Sequence, residues 1–396
     1  MPSRWYWGDQ MKDIAINGDN AIALAWKQID PDVCAAYPIT PQTIIVERFS
    51  DYVADGEVHT EFVCTESEHS AMTVCIASAS AGARTVTATA SVGLAYMWEM
   101  LGTAAGMRVP LSMAVANRAL SAPINIHCDH GDAMASRDTG WILIFAENVQ
   151  EAYDNAIIAP KIAEHLDVQL PIMTCLDGFI LTHAIERMTP LEDKVVKDFV
   201  GEYQAVHPLL DWKNAVTHGA MDGHEYYFEH RFQIQQAMDN ALKVAEDVFK
   251  EFEKISGRKY SALEEYRCND AEFVAVCLGS TFGTMKEAVD RLRNEGHKVG
   301  AMMPRIFRPL PVDAIAKAVN GKKGVAVLDK FMTPGSFAPL FEDISVSASC
   351  SDKAPKMYSY VYGLGGRDAK TDDMKSVFVD MIEGKAKRIN YLGVKL

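Results

Sequence analysis

The residues best suited to chemistry begin with Tyr37-Pro38-Ile39-Thr40-Pro41, between an apolar run at 33–36 and a helical pattern at 44–53. Each proline fixes its own φ angle and keeps the residue before it out of the helical region. A rigid turn of this kind places the Thr40 hydroxyl near a helix amino end, where free N–H groups favour an anion. Thr40 is therefore either a helix cap or a ligand-binding residue.

Polar residues also follow other predicted strands in the first half of the chain. Glu68, Ser91, Arg118 and Asp177, like Thr40, come after short apolar or β-branched runs. Strands alternate with helices there, which predicts a parallel sheet with helices on both faces. Ligands bind at the carboxyl ends of such strands, so we expect these five residues to share a cleft. Each one alone also has a structural interpretation, such as a helix-terminal carboxylate for Glu68 or a salt bridge for Arg118.

Composition limits the class of protein. The chain has 396 residues, 48% hydrophobic and 23% charged, which indicates a soluble globular protein of two or three domains. Its net charge of -14 argues against nucleic acid and anionic membranes as partners. None of the eight cysteines forms a Cys-x-x-Cys pair, so we interpret them as free thiols of a reducing compartment.

The location of the protein is also predicted from the sequence. Residues 1–12 have no apolar signal core. The most apolar region, 71–105, is interrupted by Arg84 and Glu99 and is therefore a poor membrane span. We expect a cytoplasmic protein.

Apolar periodicity and turn residues predict the elements that would position the polar groups. Strands are predicted over 33–36, 61–65, 84–90, 110–116, 142–147 and 169–176, and helices over 14–30, 44–53, 71–80, 94–105 and 149–164. Residues 118–141 are predicted to form one long loop, a length that often indicates function.

The second half of the chain has its own α/β pattern. A polar connecting arm is predicted over 190–227 and a long amphipathic helix over 228–255, followed by strands over 272–278, 298–303 and 324–329 with a helix over 284–295. We therefore divide the chain into a first domain with its arm at 1–227, a linking helix at 228–258 and a second domain at 259–396.

Seven motifs, in one order along the chain, carry a family resemblance. They are Tyr-Pro-Ile-Thr-Pro at 37–41, Glu-Ser-Glu-His at 66–69, Thr-Ala-Ser-Val-Gly at 89–93, Asn-Arg-Ala-Leu-Ser-Ala-Pro at 117–123, Arg-Asp-Thr-Gly-Trp at 137–141, Leu-Asp-Gly-Phe at 176–179 and Phe-Arg-Pro-Leu-Pro at 307–311. The ordered set resembles the α subunit of multi-subunit 2-oxoacid:ferredoxin oxidoreductases, most closely the pyruvate type.

The resemblance implies a thiamine-diphosphate enzyme divided among several chains. The first domain would be a pyrimidine-binding domain and the second would be similar to the transketolase C-terminal domain, both α/β with parallel sheets. The usual diphosphate and magnesium signature is missing, since Gly18-Asp19-Asn20 lacks its third position. Mg²⁺ and the cofactor diphosphate would therefore be held by a partner β subunit. The [4Fe-4S] clusters would also lie on partner subunits, among them γ and a ferredoxin-like δ.

The same resemblance implies a function for each of the polar residues at the strand ends. Glu68 would hydrogen-bond the pyrimidine ring of the cofactor and activate it. Arg118 and Thr40 would bind the 2-oxo acid at its carboxylate or carbonyl, which makes Glu68, Arg118 and Thr40 the catalytic set. Further expected cofactor-binding residues are Tyr37, Pro38, Ile39 and Ser91.

Two other features concern the substrate and metals. Ser121, three residues after Arg118, is small and uncharged, and we expect it to line the substrate site and favour a neutral acyl tail such as methyl. His127, Asp129 and His130 could suggest a metal set, but three such residues on one loop are weak evidence. We expect a hydrogen-bonded loop there and no metal held by this chain.

The implied reaction is oxidative decarboxylation of pyruvate with coenzyme A to acetyl-CoA and CO2, with reduction of ferredoxin, or the reverse synthesis. Three alternatives stay open. They are the same chemistry on 2-oxoglutarate, a branched-chain or an aryl oxo acid; a non-redox transketolase- or acetolactate-type subunit; and a non-catalytic assembly subunit.

Overall fold

Two mainly parallel sheets organise the chain. The computed structural model describes residues 13–395, so the prediction about a signal core at 1–12 lies outside it. The strands are β1 (Ile14–Ile16), β2 (Val33–Ala36), β3 (Glu61–Cys64), β4 (Thr85–Thr89), β5 (Ser112–Asn117), β6 (Ile142–Phe145), β7 (Ile172–Asp177), β8 (Glu186–Met188), β9 (Leu263–Tyr266), β10 (Phe273–Val276), β11 (Val299–Pro304), β12 (Ile306–Arg308), β13 (Gly324–Asp329), β14 (Lys356–Val361) and β15 (Ile389–Tyr391). The helices are α1 (Gly18–Ile29), α2 (Thr43–Ala54), α3 (Glu68–Ala81), α4 (Ser91–Tyr96), α5 (Trp98–Gly106), α6 (Gly131–Ser136), α7 (Val149–Ala163), α8 (Asp193–Val200), α9 (Tyr227–Ser256), α10 (Thr281–Asn294), α11 (Val312–Val319), α12 (Pro339–Ser349) and α13 (Thr371–Ile382).

The sheet topology confirms the predicted α/β class. The first sheet has the strand order β12-β6-β7-β5-β4-β2-β3 and is parallel except for β12. The second has the order β15-β14-β13-β10-β11-β9 and is parallel except for β9. β1 and β8 form a separate antiparallel pair.

Helices cover both faces of both sheets. One hydrophobic cluster joins α1, α2, α7, α8 and α9 to one face of the first sheet. A second cluster contains residues of both sheets together with α3, α5, α6, α11 and α12, so the two sheets share a core. A third packs α10 and α13 on the outer face of the second sheet. Within residues 13–395, no helix combines the length and apolar character that crossing a membrane requires.

The first predicted helices have different boundaries in the structure. Residues 14–30 do not form a single helix, because Ile14–Ile16 pair with Glu186–Met188 as a strand. The helix begins at Gly18. Asn17 caps it, because the Asn17 side chain accepts a hydrogen bond from the Asn20 N–H. The helix predicted over 94–105 is two helices, α4 and α5, which meet at Met97.

Two segments predicted as irregular contain helices. The loop at 118–141 includes α6, a short helix whose face carries the buried Ala133 and Met134. The arm at 190–227 includes α8, which buries Val196, Phe199 and Val200 in the first core. Both helices are short, so few residues carry the periodic pattern that predicts a helix.

One strand from the predicted second domain completes the first sheet. β12 pairs antiparallel with β6, so residues 306–308 extend the sheet formed by the first part of the chain. The domain limits at 227 and 258 stay a prediction. The pairing shows that a strand from the later part of the chain belongs to the sheet of the earlier part.

A buried ion pair joins the two sheets at their carboxyl ends. Asp177, which ends β7, receives hydrogen bonds from Lys330 Nζ at 2.5 Å and Ser280 Oγ at 2.6 Å, and its other oxygen lies 2.8 Å from His130 Nε2. Burial would raise the pKa of Asp177, but Lys330 and His130 outweigh it and hold that pKa well below its usual value. The strand-end rule predicts that Asp177 lines the cleft; in the structure it is fully buried between the sheets.

Substituting Lys330 with methionine is expected to destabilise the protein by about 3–5 kcal/mol, because it leaves the Asp177 carboxylate buried without its cation. The matched control is Lys323→Met, which removes an exposed pair with Glu272 and should cost about 1 kcal/mol or less. Apparent melting temperatures of the two variants test the difference, and equal values would contradict it.

The same prediction has a defined pH dependence. Because the folded-state pKa of Asp177 is lowered, its stabilising contribution is present above its ordinary pKa of about 4 and is lost as the pH falls below that value. The difference in melting temperature between the unchanged protein and Lys330→Met should therefore be full at pH 7 and narrow below about pH 4.

Candidate functional site

Arg118 lies immediately after β5 and contacts the turn at 37–41. Its side chain is mostly buried, and its Nη1 donates to the Thr40 carbonyl oxygen at 2.9 Å. Its Nε donates to the Asn125 carbonyl oxygen at 3.2 Å. Within residues 13–395, Nη2 has no acceptor. Two backbone carbonyls thus fix the guanidinium and leave N–H groups for an anionic ligand.

A buried glutamine, Gln42, holds the turn at 37–41 in place through its side chain. Gln42 Nε2 donates to the carbonyl oxygens of Tyr37, at 2.9 Å, and Ala88, at 3.1 Å. Helix α2 starts at Thr43 with Gln42 in the N-cap position and no side-chain cap. The alternative that Thr40 caps this helix is therefore wrong. The side chain of Thr40 is exposed, as is that of Pro38, while Tyr37 and Ile39 are half-buried.

Glu68 is the first residue of α3 and its side chain is only 8% exposed. The Ser67 side chain caps this helix by accepting a hydrogen bond from the Ser70 N–H at 3.2 Å. No residue in the described part of the chain donates a hydrogen bond to the Glu68 carboxylate. A carboxylate shielded from solvent without such donors needs a partner, and a bound ligand can supply it.

Gly93 has no side chain, and this leaves the space that the Glu68 carboxylate occupies. A Cβ at Gly93 of α4 would lie 2.8 Å from Glu68 Oε1 and 2.6 Å from Thr89 Oγ1. Any other residue at this position would push one of the two side chains away. Thr89 Oγ1 is itself buried and has no hydrogen-bond partner among residues 13–395. The glycine therefore places two polar groups side by side at the end of β4.

Ser91 connects the Glu68 side of the site to the Arg118 side. Its hydroxyl donates to the Ala119 carbonyl oxygen, and its N–H donates to Asp132 Oδ2 at 2.9 Å. Its backbone lies in the left-handed region, with φ of 50°. Its hydroxyl is thus already engaged in the structure, and its expected contact with a cofactor stays a prediction.

Asp132 of α6 fixes the ends of two neighbouring strands, a role that the sequence analysis missed. Its Oδ2 accepts from the N–H groups of Ser91 and, at 3.0 Å, Arg118, while Oδ1 accepts from Asn117 Nδ2 and the Ala133 N–H, both at 2.8 Å. Burial raises the pKa of Asp132, and these four hydrogen bonds oppose the increase. An acidic residue after a glycine, followed by Ala-Met-Ala-Ser, is the signal that could have indicated the first turn of a helix here.

The loop after Arg118 is hydrogen-bonded. Asp129 Oδ1 accepts from the Gly131 N–H at 2.9 Å, and the His127 ring lies 5.0 Å from the Phe179 ring. Ser121 is exposed on the same loop. Its contact with substrate stays a prediction.

In the part of the chain that the structure describes, Cys128, His130 and Asp177 could reach a common metal ion. Asp177 already bonds the Lys330 ammonium, whose charge would repel a cation. The geometry therefore favours an ion pair over a metal site.

The residues around Glu68 fit the pyrimidine half of thiamine diphosphate. Three buried oxygens near the strand ends have no partner among residues 13–395: Gln42 Oε1, Thr89 Oγ1 and Asn117 Oδ1. Of these, Thr89 Oγ1 lies beside the Glu68 carboxylate at Gly93, and an aminopyrimidine offers N–H groups to such acceptors. Gly93 leaves the room that lets the Glu68 carboxylate and the Thr89 hydroxyl lie next to each other.

Comparison with known proteins agrees with this geometry. The family model described as pyruvate flavodoxin/ferredoxin oxidoreductase, thiamine-diphosphate-binding, matches residues 24–250, and pyruvate:ferredoxin oxidoreductase core domain II matches residues 271–374. A pyruvate synthase subunit PorA from Thermotoga maritima is 51% identical over 96% of this chain and 98% of its own length.

Solved structures show the same fold at lower identity. A 2-oxoglutarate:ferredoxin oxidoreductase from Magnetococcus marinus, solved with 2-oxoglutarate, coenzyme A and succinyl-CoA bound, has a TM-score of 0.74 at 18% identity. The match covers 93% of this chain and 65% of that one. A split-gene transketolase, an inactive β4 tetramer, has a TM-score of 0.55 at 10% identity, covering 94% of this chain and all of that one. The predicted fold class and family resemblance are thus confirmed: the chain belongs to the pyruvate flavodoxin/ferredoxin oxidoreductase family and carries its thiamine-diphosphate-binding domain.

Proposed function

We propose that this chain is the subunit of a multi-subunit pyruvate:ferredoxin oxidoreductase that binds pyruvate and the pyrimidine half of thiamine diphosphate. The complex would convert pyruvate and coenzyme A to acetyl-CoA and CO2 while two ferredoxin equivalents are reduced, or run in reverse. The observation that supports this most directly is the contact of Arg118 with Thr40, which follow two parallel strands of the sheet at whose same edge the buried Glu68 follows a third.

Arg118 and Thr40 would hold the oxo acid. The pyruvate carboxylate accepts hydrogen bonds from the guanidinium N–H groups that the Thr40 and Asn125 carbonyls leave unused. The exposed Thr40 hydroxyl, with no partner within residues 13–395, donates to the carboxylate or carbonyl oxygen beside it. These contacts orient the reacting carbonyl of a 2-oxo acid.

Glu68 would hold the cofactor ring. Thiamine diphosphate, when bound, supplies the nucleophilic carbon and accepts the electron pair that decarboxylation releases. The Glu68 carboxyl hydrogen-bonds a pyrimidine nitrogen and maintains the proton there, while its mostly buried position excludes competing water. Tyr37, Pro38, Ile39 and Ser91 form the surrounding wall in this proposal.

Partner subunits would complete the enzyme. The eight cysteines are free and six are buried. We propose that a β subunit holds the diphosphate and Mg²⁺, that [4Fe-4S] clusters lie on other subunits including δ, and that γ and ferredoxin complete the assembly. Relatives named as subunits support this arrangement. A cytoplasmic location, where free thiols stay reduced, belongs to the same proposal.

The native complex, purified and assayed with a panel of 2-oxo acids, coenzyme A and a viologen dye, tests the proposed function. Pyruvate should give the highest kcat/KM, ahead of 2-oxoglutarate, branched-chain and aryl oxo acids. Dye reduction should require coenzyme A. A strong preference for another oxo acid would overturn the pyruvate assignment, and turnover without dye reduction would favour the non-redox alternative.

Gly93→Ala is expected to lower kcat by about 100-fold, because its Cβ would displace the Glu68 carboxyl from its position. The matched control is Gly102→Ala in α5, where an added Cβ meets no atom within 4 Å. Steady-state assays of both assembled variants check this expectation. Equal turnover of the two would show that Glu68 does not depend on the space at Gly93.

A further inference from the structure

The substrate arginine is supported from the second sheet. The 363–366 turn, Gly363-Leu364-Gly365-Gly366, follows β14 and lies against the loop that comes after Arg118. The Gly366 N–H donates to the Cys128 carbonyl oxygen at 2.7 Å. Asn125 Nδ2 donates to the Gly365 carbonyl oxygen at 3.1 Å. The turn thus contacts the loop at two points.

Asn125 connects the turn to Arg118. Its backbone carbonyl accepts from Arg118 Nε, and its side-chain oxygen accepts from the His127 N–H at 2.7 Å. Among residues 13–395, Asn125 hydrogen-bonds Arg118 and His127 within its own loop, and Gly365 outside it. One of the two carbonyls that hold the guanidinium is therefore positioned by a residue 240 positions away in the sequence.

The turn has a backbone shape that glycine favours. Gly363, Gly365 and Gly366 have φ angles of 67°, 62° and 76°. At Gly365 a Cβ would lie 2.5 Å from Asn125 Nδ2, whereas at Gly363 the nearest atom would be Lys330 Cγ at 3.5 Å. The two positions share the same backbone requirement and differ in contact with Asn125.

We infer that Gly365, in the 363–366 turn, and Asn125 are positioning residues for Arg118, so that a residue of the second sheet's turn sets the affinity for the oxo-acid carboxylate. The inference rests on the proposed function of Arg118. The turn does not touch substrate; it determines where the Asn125 carbonyl holds the guanidinium.

The test compares Gly365→Ala with Gly363→Ala in the assembled complex. Gly365→Ala should raise KM for pyruvate by about 10-fold and change kcat and the KM for coenzyme A by less than about twofold. Gly363→Ala carries the same left-handed strain and should leave the pyruvate KM within about twofold. Hydrogen–deuterium exchange of residues 119–127 should become faster in Gly365→Ala than in Gly363→Ala.

Equal pyruvate KM values and equal exchange in the two variants would overturn the inference. Asn125→Ala, which removes the side-chain bond to Gly365, provides a second route if Gly365→Ala fails to fold. It should raise the pyruvate KM in the same way, and an unchanged KM would also overturn the inference. Arg118→Ala distinguishes failure of the positioning role from failure of the proposed function. If Arg118→Ala raises the pyruvate KM and the Gly365 and Asn125 variants do not, the proposed function stands and the positioning role fails.

Discussion

Replacing Glu68 with glutamine in the assembled complex is expected to lower kcat by about 100- to 1000-fold. Glutamine keeps the size and most of the packing of the side chain, but it cannot maintain a proton between carboxyl and ring nitrogen. The residue begins α3 and is mostly buried, so no neighbouring acid can take its place from solvent. Turnover with pyruvate, coenzyme A and a viologen dye measures the loss.

The matched control for this variant is Glu66→Gln, which changes an exposed glutamate two positions earlier that bonds Ser70. It should keep turnover within about twofold of the unchanged complex. Both variants should elute as assembled complexes in gel filtration. Near-normal turnover of Glu68→Gln would remove Glu68 from the mechanism.

Replacing Arg118 with alanine is expected to raise the KM for pyruvate and lower kcat/KM by about 100-fold. A 100-fold loss corresponds to about 2.7 kcal/mol, which is the size of one or two charge-assisted hydrogen bonds to a carboxylate at about 1.5–3 kcal/mol each. Arg118→Lys should recover part of it, since an ammonium keeps the charge but lacks the paired donors. The amount of thiamine diphosphate bound should stay unchanged, because Glu68 lies on α3 and not on the loop that carries Arg118.

Arg137→Ala is the control for the Arg118 variant. Arg137 lies in the same region of the chain but bonds the Met134 carbonyl and pairs with Asp138. Its loss should leave the pyruvate KM within about twofold. A pyruvate KM that does not change in Arg118→Ala would show that the oxo acid is bound elsewhere.

Sequence patterns predicted the local structure around the candidate site residues. The paired prolines around Thr40 and the strand-end positions of Glu68 and Arg118 follow from local geometry and from the rule that ligands bind at strand carboxyl ends. The same rule placed Asp177 in the cleft, which is wrong, because a strand end can also face another sheet. Applied to β13, it would have drawn attention to Lys330.

The contacts that support the site could not be predicted, since they join residues far apart in the chain. Asn125 and Gly365 are separated by 240 positions, and Lys330 and Asp177 by 153. Asp132 was missed because α6 has only six residues, too few for a clear helical period. β12 was missed for a related reason, as its partner β6 lies far earlier in the sequence and the pairing is antiparallel.

The central claim is that Glu68, Arg118 and Thr40 form one site beside the cofactor ring, and a structure of the assembled complex with thiamine diphosphate bound tests it most directly. The account predicts a Glu68 carboxyl oxygen at about 2.6–3.2 Å from a pyrimidine nitrogen, with the Arg118 guanidinium and the Thr40 hydroxyl on the side where the oxo acid binds. A pyrimidine ring bound away from all three side chains would contradict it.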